Sequence, residues 1–356
     1  MEPIFKFEKN RQLPLRSKVK KARDLFLHKI ACGEYNTVEC NCICGAKKDD
    51  VLIATVDRYG VPVNTFICKH CGLLRIDPYL DDVSLQKFYN TDYDKIYRTT
   101  LSQKHFFNEQ VKSGERILSA VSKIKSDLNE AIVMEIGCSM GGNLLPFKRV
   151  GCSVFGADYN EDHVCKGRQL GMDLRVGSWS QLQDAAPADI LILSHVLEHM
   201  TDPIAFLKNI MTLVKDDGFL YIAVPAVEDI PESYDHDIML WLQNAHAYNF
   251  SNVTLKEVVA HGGAKPVWDN GKGIVIAQKT ANIGELSFAP DEADAVIRKM
   301  QKYELQFLKN RTFFRWLSHK LKSCANTLYE LLPRKLTWCI KMFLPYGFVR
   351  YIQKQH

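Results

Sequence analysis

The sequence predicts an α/β fold built on a parallel sheet, preceded by a small cysteine-bearing module and followed by a helical extension. Three observations predict it. From residue 131 onward, strand-like and helix-like stretches alternate, the order that places parallel strands under crossover helices. Within that region "VMEIGCSMGGNLLPF", residues 133–147, runs from an apolar strand through a glycine-rich turn into a helix start, a turn type that holds ligands against backbone N–H groups. Five of the eleven cysteines, Cys40, Cys42, Cys44, Cys68 and Cys71, gather upstream of it.

Composition sets the outer bounds. A chain of 356 residues exceeds one ordinary core, so two or three domains are expected. Hydrophobic residues make up 46% and charged residues 24%, the balance of a soluble globular protein. No run of eighteen apolar residues occurs, and "MEPIFKFEKN" lacks the basic-then-apolar order of a signal peptide, so a cytoplasmic chain is expected. The formal charge of +5 is uneven. Arg311 to His356 carries nine Lys/Arg against Glu330 alone, a net +8, which leaves −3 for the rest. A basic tail on a slightly acidic body points to a partner for the tail.

The elements follow in order. Residues 1–35 read as a basic helical segment ("RSKVKKARDLFLHKI") and 36–80 as the cysteine module, where "VLIATVD" and "VPVNTFIC" alternate like strands around "RYG". Residues 81–130 have helical periodicity and form a connector. In the α/β domain, residues 131–282, "AIVMEIG", "SVFGADY", "DLRVGS", "ADILILSHV" and "DDGFLYIAVP" read as strands, separated by helix-like stretches such as "NLLPFKRVG", "DHVCKGRQLG" and "DPIAFLKNIMTLV". "AKPVWDNGKGIVIAQK" reads as two strands around an Asn-Gly-Lys-Gly turn, and 283–356 as a basic helical extension.

The glycine turn narrows the ligand. A dinucleotide loop places its middle glycine where this chain has Ser139, between Gly137 and Gly141. The turn also begins with an acid, Glu135, which suits an ammonium group and not a phosphate. Asp158, 21 residues after Gly137 at the end of the second strand, is placed to accept hydrogen bonds from both ribose hydroxyls. A ligand with a ribose and an amino-acid end but no phosphate is required, and S-adenosylmethionine fits.

"VMEIGCSMGGNLL", "GADYN" and "ADILILSHVLEHMTDPIAFLKNIMTLVKDDGFLYIAVP" resemble the class I S-adenosylmethionine-dependent methyltransferases over about residues 131–280. The resemblance implies a Rossmann-like domain with a mostly parallel seven-stranded sheet. It implies that Gly137 and Gly141 shape the cofactor loop and Asp158 binds the ribose. Glu135, Cys138, Ser139 and Tyr159 join that cofactor set. Ser178, after the third strand, would lie near the adenine, and His195 and Val196 beside the methionine part.

"CKHCGLLRIDPY" contains a zinc knuckle, Cys68-x-x-Cys71-Gly72, whose two spacer residues turn backbone N–H groups toward the thiolates. In "ECNCICG" Cys44 precedes Gly45 as a knuckle requires, but the position three before it is Asn41. Cys44, Cys68 and Cys71 are therefore expected in a structural zinc site, with Cys40 or Cys42 as the fourth ligand. Lys and Arg outnumber Asp and Glu by only five to four between residues 36 and 75, too little for a nucleic-acid surface. With the cysteines and "LDDVSLQKFYNTDYDKIY" included, the chain resembles the zinc-bearing methyltransferases that act on sugars, among them sugar C-methyltransferases and relatives linked to surface-polysaccharide synthesis.

That subgroup carries a Glu-His pair shortly before a Phe-Ser. In "WLQNAHAYNFSNVTL" His246 keeps register with the histidine, before Phe250 and Ser251, but Ala245 stands at the glutamate position. The resemblance thus implies His246 as a general base titrating near neutral pH, and favours a sugar hydroxyl over a sugar carbon as acceptor. Tyr248, His199, Asp235 and His236 are rival catalytic candidates. The acceptor is expected to be a surface glycan or its nucleotide-sugar precursor. A chain of another class, a zinc-bearing adaptor with an inactive cofactor pocket, fits the same motifs without turnover. The aromatic, basic tail suits either an anionic membrane surface, at the inner face of the membrane, or docking on a protein or a second subunit.

Overall fold

The structure, a computed structural model, describes residues 2–7, 12–46, 50–97, 103–283 and 287–331, with side chains to residue 312. After α1 (Ser17–Ala31) come five short strands: β1 (Thr37–Val38), β2 (Val51–Val56), β3 (Pro62–Ile67), β4 (Leu74–Ile76) and β5 (Tyr79–Leu80). The helical connector is α2 (Asp82–Thr91), α3 (Tyr93–Tyr97) and α4 (Gln103–Val121). The α/β region then runs β6 (Ile132–Ile136), α5 (Leu145–Arg149), β7 (Ser153–Asp158), α6 (Glu161–Gln169), β8 (Asp173–Val176), β9 (Ala188–Ser194), α7 (Pro203–Ile210) and β10 (Val214–Ala223). It continues through α8 (Ile230–Ser233), α9 (Ile238–Trp241), β11 (Tyr248–Asn249), α10 (Asn252–His261), β12 (Ala264–Asp269) and β13 (Ile274–Lys279) to α11 (Glu292–Leu331).

The large sheet has seven strands in the order β12-β13-β10-β9-β6-β7-β8. Neighbours from β10 to β8 pair in parallel, and β13 runs antiparallel to both of its neighbours. The architecture is Rossmann-like, with β6 and β9 at its centre. Alternation along the strands divides the core into two layers. Met134, Leu191, Leu193, Leu220 and Ile222 pack on one face with α7 and α10 residues. Val133, Ile190, Ile192 and Tyr221 pack on the other with Ile117 and Val121 of α4. Burial on both faces explains why β9, "ADILILS", is unbroken apolar sequence from Ile190 to Leu193.

Local chemistry sets the helix starts. Asn160 caps α6 by accepting from His163 N, Asp202 caps α7 ahead of Pro203, and Ser251 and Thr254 form a capping box on α10. The stretch "NLLPFKRVG" is shorter than a full helix: a 3₁₀ turn, Gly142–Leu144, precedes the five residues of α5.

The cysteine module is not closed by its own residues. Its antiparallel sheet is ordered β11-β4-β3-β2, so the strand pairing with β4 comes from residues 248–249. Without Tyr248 and Asn249, β4 would present unpaired backbone groups. The N-terminus adds to the other side, where Ile4 and Phe5 donate backbone hydrogen bonds to Leu52 and Ile53. Residues Met1–Tyr303 form one compact unit and Glu304–His356 a second. The second unit is, within the described residues, the remainder of α11; the tail's side chains from 313 and the whole of 332–356 lie outside them. Among the described residues no helix is long and apolar enough to cross a membrane.

Candidate active site and cysteine centre

The glycine turn is a run of left-handed backbone. Gly137, Ser139 and Gly141 have φ of 73°, 52° and 75°. Gly137 is required twice over, because a Cβ there would also lie 2.7 Å from Val196 Cγ2. Gly137 N and Cys138 N both donate to Ala157 O, which ties the turn to the end of β7. Cys138 is buried, with no room for anything larger than Gly156 beside its sulfur. Both oxygens of Asp158 are held by backbone donors at 2.8 Å, Oδ2 by Ser139 N and Oδ1 by Asn160 N. A carboxylate fixed in this way still has lone pairs left to accept from a diol. Tyr159, next in line, is exposed and meets Ser178, whose own hydroxyl caps the 3₁₀ turn Trp179–Ala185.

Glu135 lies under this turn. Asn143 Nδ2 donates to its Oε1 at 2.6 Å, while Oε2 and the Asn143 Oδ1 are buried without a partner. Burial pushes the Glu135 carboxyl up to about 8, against the Asn143 hydrogen bond. An acid in this state is uncharged at neutral pH when alone and ionises when a cation arrives.

Next to the turn, β9 ends at Ser194. His195 follows with φ 57° and donates from its backbone N to Ala223 O, which turns the chain over the sheet edge. Val196 then presses on Gly137, and the 3₁₀ turn Leu197–His199 follows at once. Glu198 is 1% exposed, and neither carboxylate oxygen has a hydrogen-bond partner. His195 Nδ1 lies 3.3 Å from Glu198 Oε1 and His199 Nε2 4.0 Å from it. Burial opposes ionisation of Glu198, but the His195 and His199 imidazoles outweigh it and hold the acid at about 2.

His246 completes the group. Its ring meets that of His199 edge-on at 5.1 Å, and its Nδ1 is buried without a partner. The expected titration near neutral pH is corrected here: burial, reinforced by His199, pulls the His246 imidazole down to about 3. Tyr248 pairs with Arg75 in the cysteine module's sheet, and its hydroxyl donates to Asn41 O at 3.4 Å. His236 lies beside Tyr303 at the other end of this segment, after Asp235, both with positive φ.

The segment bearing His246 is held by the hairpin between β2 and β3. Asp57, fully buried, accepts from Asn244 N, Tyr59 N and Val61 N. Arg58 donates to Leu240 O and to Gln243 Oε1, and Tyr97 to Asn244 Oδ1. Tyr79 and His199 Nδ1 share Ala245 O at 2.8 and 2.7 Å. Tyr89 and Tyr93 stand edge-on to His199.

Of the five clustered cysteines four converge. Cys42 Sγ lies 3.4 Å from Cys71 Sγ and from Cys44 Sγ, and Cys44 Sγ 3.6 Å from Cys68 Sγ. A tetrahedral zinc with ~2.3 Å bonds needs S–S edges of about 3.8 Å. The two loops match: Gly45 N donates to Cys42 O and Gly72 N to Cys68 O, both glycines with left-handed φ. Cys40 stands apart. Its backbone N donates to Asp77 Oδ1, its carbonyl accepts from Arg75 Nε, and its sulfur faces Val38 O at 3.8 Å. Hydrogen bonds from the Cys42 and Cys71 thiols stabilise a thiolate at Cys68, and the hydrogen bonds of Cys71 to Cys42 and Cys68 push its own thiol up. The donor set fits zinc.

Residues 107–267 match the family model described as a methyltransferase domain. That match spans less than half of the chain and describes the stretch as a methyltransferase domain. Among curated proteins it is similar to the ubiquinone biosynthesis O-methyltransferases of Pelagibacter ubique (32% identical over 112 residues, 28% of this chain and 46% of that one) and Parvibaculum lavamentivorans (32% over 99 residues, 25% and 38%). This chain thus spans less than half the length of these relatives. Among solved structures it is similar to magnesium protoporphyrin IX methyltransferase from Synechocystis PCC 6803 with bound SAH, 16% identical, covering 56% of this chain and all of that one, TM-score 0.42.

Around the methyltransferase domain, sequence reasoning missed Asp57, Arg58 and the tyrosines of α2 and α3 as builders of the site. The one available signal was an acid at the turn of an apolar hairpin, "VDRYG", where burial leaves the carboxylate only backbone donors to bind.

Proposed function

We propose that the chain transfers the methyl group of S-adenosylmethionine to a sugar hydroxyl of a surface glycan or its nucleotide-sugar precursor. The observation that carries this reading is the contact of Val196 with Gly137, two residues before Glu198. It joins the cofactor turn directly to a buried group of Glu198, His199 and His246. The methyl acceptor then lies between the sulfonium and that group. In the reaction the new O–C bond forms as the S–CH₃ bond breaks, S-adenosylhomocysteine leaves, and the hydroxyl surrenders its proton on the side of the cluster. Alignment of donor and acceptor supplies most of the rate, roughly 7–11 kcal/mol. The curated relatives, named O-methyltransferases, support oxygen as the accepting atom.

The clustered tyrosines Tyr59, Tyr93 and Tyr97 support a sugar, since ring C–H faces pack on aromatic rings. Zinc in the four-cysteine centre would be structural: it would hold β3, β4 and the Cys42–Cys44 loop, and through β4 the strand β11 that follows His246. One observation favours a second reading, transfer to a sugar carbon. Glu198 stands beside His246 where Ala245 fails to supply a carboxylate.

The test is formation of S-adenosylhomocysteine over a panel of nucleotide sugars and glycan fragments, with the product methyl placed by NMR. Turnover with an O-methyl product is the expected result. A C-methyl product selects the second reading, and turnover only on non-sugar hydroxyls overturns the sugar assignment.

A further inference from the structure

A cleft of about 710 Å³ opens between α4 and the β10–β13–β12 side of the large sheet, within the size range of ligand sites. Its floor is two rows of side chains across the strands: Ser194, Ala223 and Ile274 in register, then Tyr221 and Trp268, both opposite Ile276. Its wall is one stripe of α4, where Lys112, Arg116, Ser119 and Lys123 recur at helical spacing, all exposed. Three cations on this lining meet one carboxylate, Glu115, a balance that focuses positive potential into a concave surface. Lys112 and Arg116 are one turn apart, about 5–6 Å between Cβ atoms, near enough for both to hold one diphosphate. Lys112 pairs with Glu109 at 2.8 Å, but both ends are exposed and the pair exchanges readily for an anion. Burial pushes the Tyr221 hydroxyl up to about 12, against Arg116, so the phenol stays a donor near that guanidinium. Lys123 Nζ lies 5.8 Å from the centroid of the Trp268 ring, which sets an aromatic platform next to the third cation. A nucleobase stacks on such an indole whatever its identity.

We infer that this cleft binds a nucleoside diphosphate, with Lys112, Arg116 and Lys123 on the phosphates and Trp268 against the base. None of its lining comes from the glycine turn or from Asp158, so the cofactor does not compete for it. Ser194 and His195 do line it, directly ahead of Val196, which packs on Gly137. A sugar carried on the diphosphate therefore reaches the cofactor turn from this side. That consequence rests on the methyl-transfer reading and selects the nucleotide sugar over the finished glycan as acceptor; the nucleotide site itself does not rest on it.

The experiment measures binding, without turnover. The full chain, with S-adenosylhomocysteine added to fill the cofactor site, is titrated calorimetrically with UDP, dTDP and GDP, with the free nucleosides and with inorganic pyrophosphate. At least one nucleoside diphosphate should bind at least about 10-fold tighter than its nucleoside, and more weakly as salt rises. Arg116→Gln, an exposed change, should weaken it at least about 10-fold. Trp268→Ala should weaken the nucleotide and leave pyrophosphate unchanged. Absence of nucleotide binding, or the same affinity in Arg116→Gln, would overturn the site. Pyrophosphate binding as tightly as every nucleotide, with no effect of Trp268→Ala, would overturn the base assignment and point to a diphosphate carried on another group, such as a lipid. Nucleotide binding without methyl transfer to any sugar sinks the methyl-transfer reading alone, so the two readings fail separately.

Discussion

The cofactor turn and the Glu198–His199–His246 group adjoin each other but are built in opposite ways. The turn draws Glu135, Gly137, Ser139, Asn143 and Asp158 from one strand–turn–helix–strand run of some two dozen residues. The cluster needs the turn after β9, the segment before β11, the β2–β3 hairpin and two connector helices. The first is specified by local geometry, its hydrogen bonds closing within that run. The second depends on the cysteine module, because Asp57 and Arg58 hold residues 240–244 and β4 pairs with β11.

The strongest way to break this contrast is to dissolve the module. Cys68→Ser should unfold it and cost several kcal/mol, since structural zinc sites contribute about 10–16 kcal/mol of binding free energy. Zinc content and the thermal transition report it. Cys40→Ser should leave the zinc content unchanged, its thiol lying outside the four.

At the turn, Asp158→Ala removes an acceptor of two charge-assisted hydrogen bonds. At about 1.5–3 kcal/mol each, S-adenosylmethionine affinity should fall about 10²–10⁴-fold by calorimetry, with the fold intact by circular dichroism. His246→Ala should invert the pattern: turnover falls about 10²–10⁴-fold while cofactor affinity stays within a few-fold. Equal losses of both would show that the two regions are one.

The smallest expected effect sharpens the contrast through pH. Glu135, raised to about 8 when empty, must ionise to hold an ammonium group. Cofactor affinity should therefore rise more than about tenfold from pH 6 to pH 8 and level off about a unit higher, and Glu135→Gln should flatten the profile. The linked effect on the cofactor-free protein has the opposite sense. Because the folded value lies above the unfolded 4.5, this group's contribution is full below pH 4.5 and is lost as pH climbs through about 8. Urea unfolding of wild type against Glu135→Gln across that window measures it.

The sequence determined whatever depends on neighbours in the chain. Apolar runs wrote β6, β9 and β10 because both faces of those strands are covered. Glycine at 137 and 141 wrote the turn because the backbone there is left-handed. Cysteine–glycine pairs wrote two sulfur loops because each loop closes on its own carbonyl. Tertiary structure decided the rest. Spacing left Cys40 and Cys42 equivalent, and the choice fell to Arg75 and Asp77, which hold the Cys40 backbone and turn its sulfur away. Spacing likewise made His246 an ordinary imidazole and Tyr248 a rival. Burial next to His199 moved the first far from neutral, and pairing with Arg75 drew the second into another sheet. Burial and charge proximity are sums over residues distant in sequence, so no local pattern contains them.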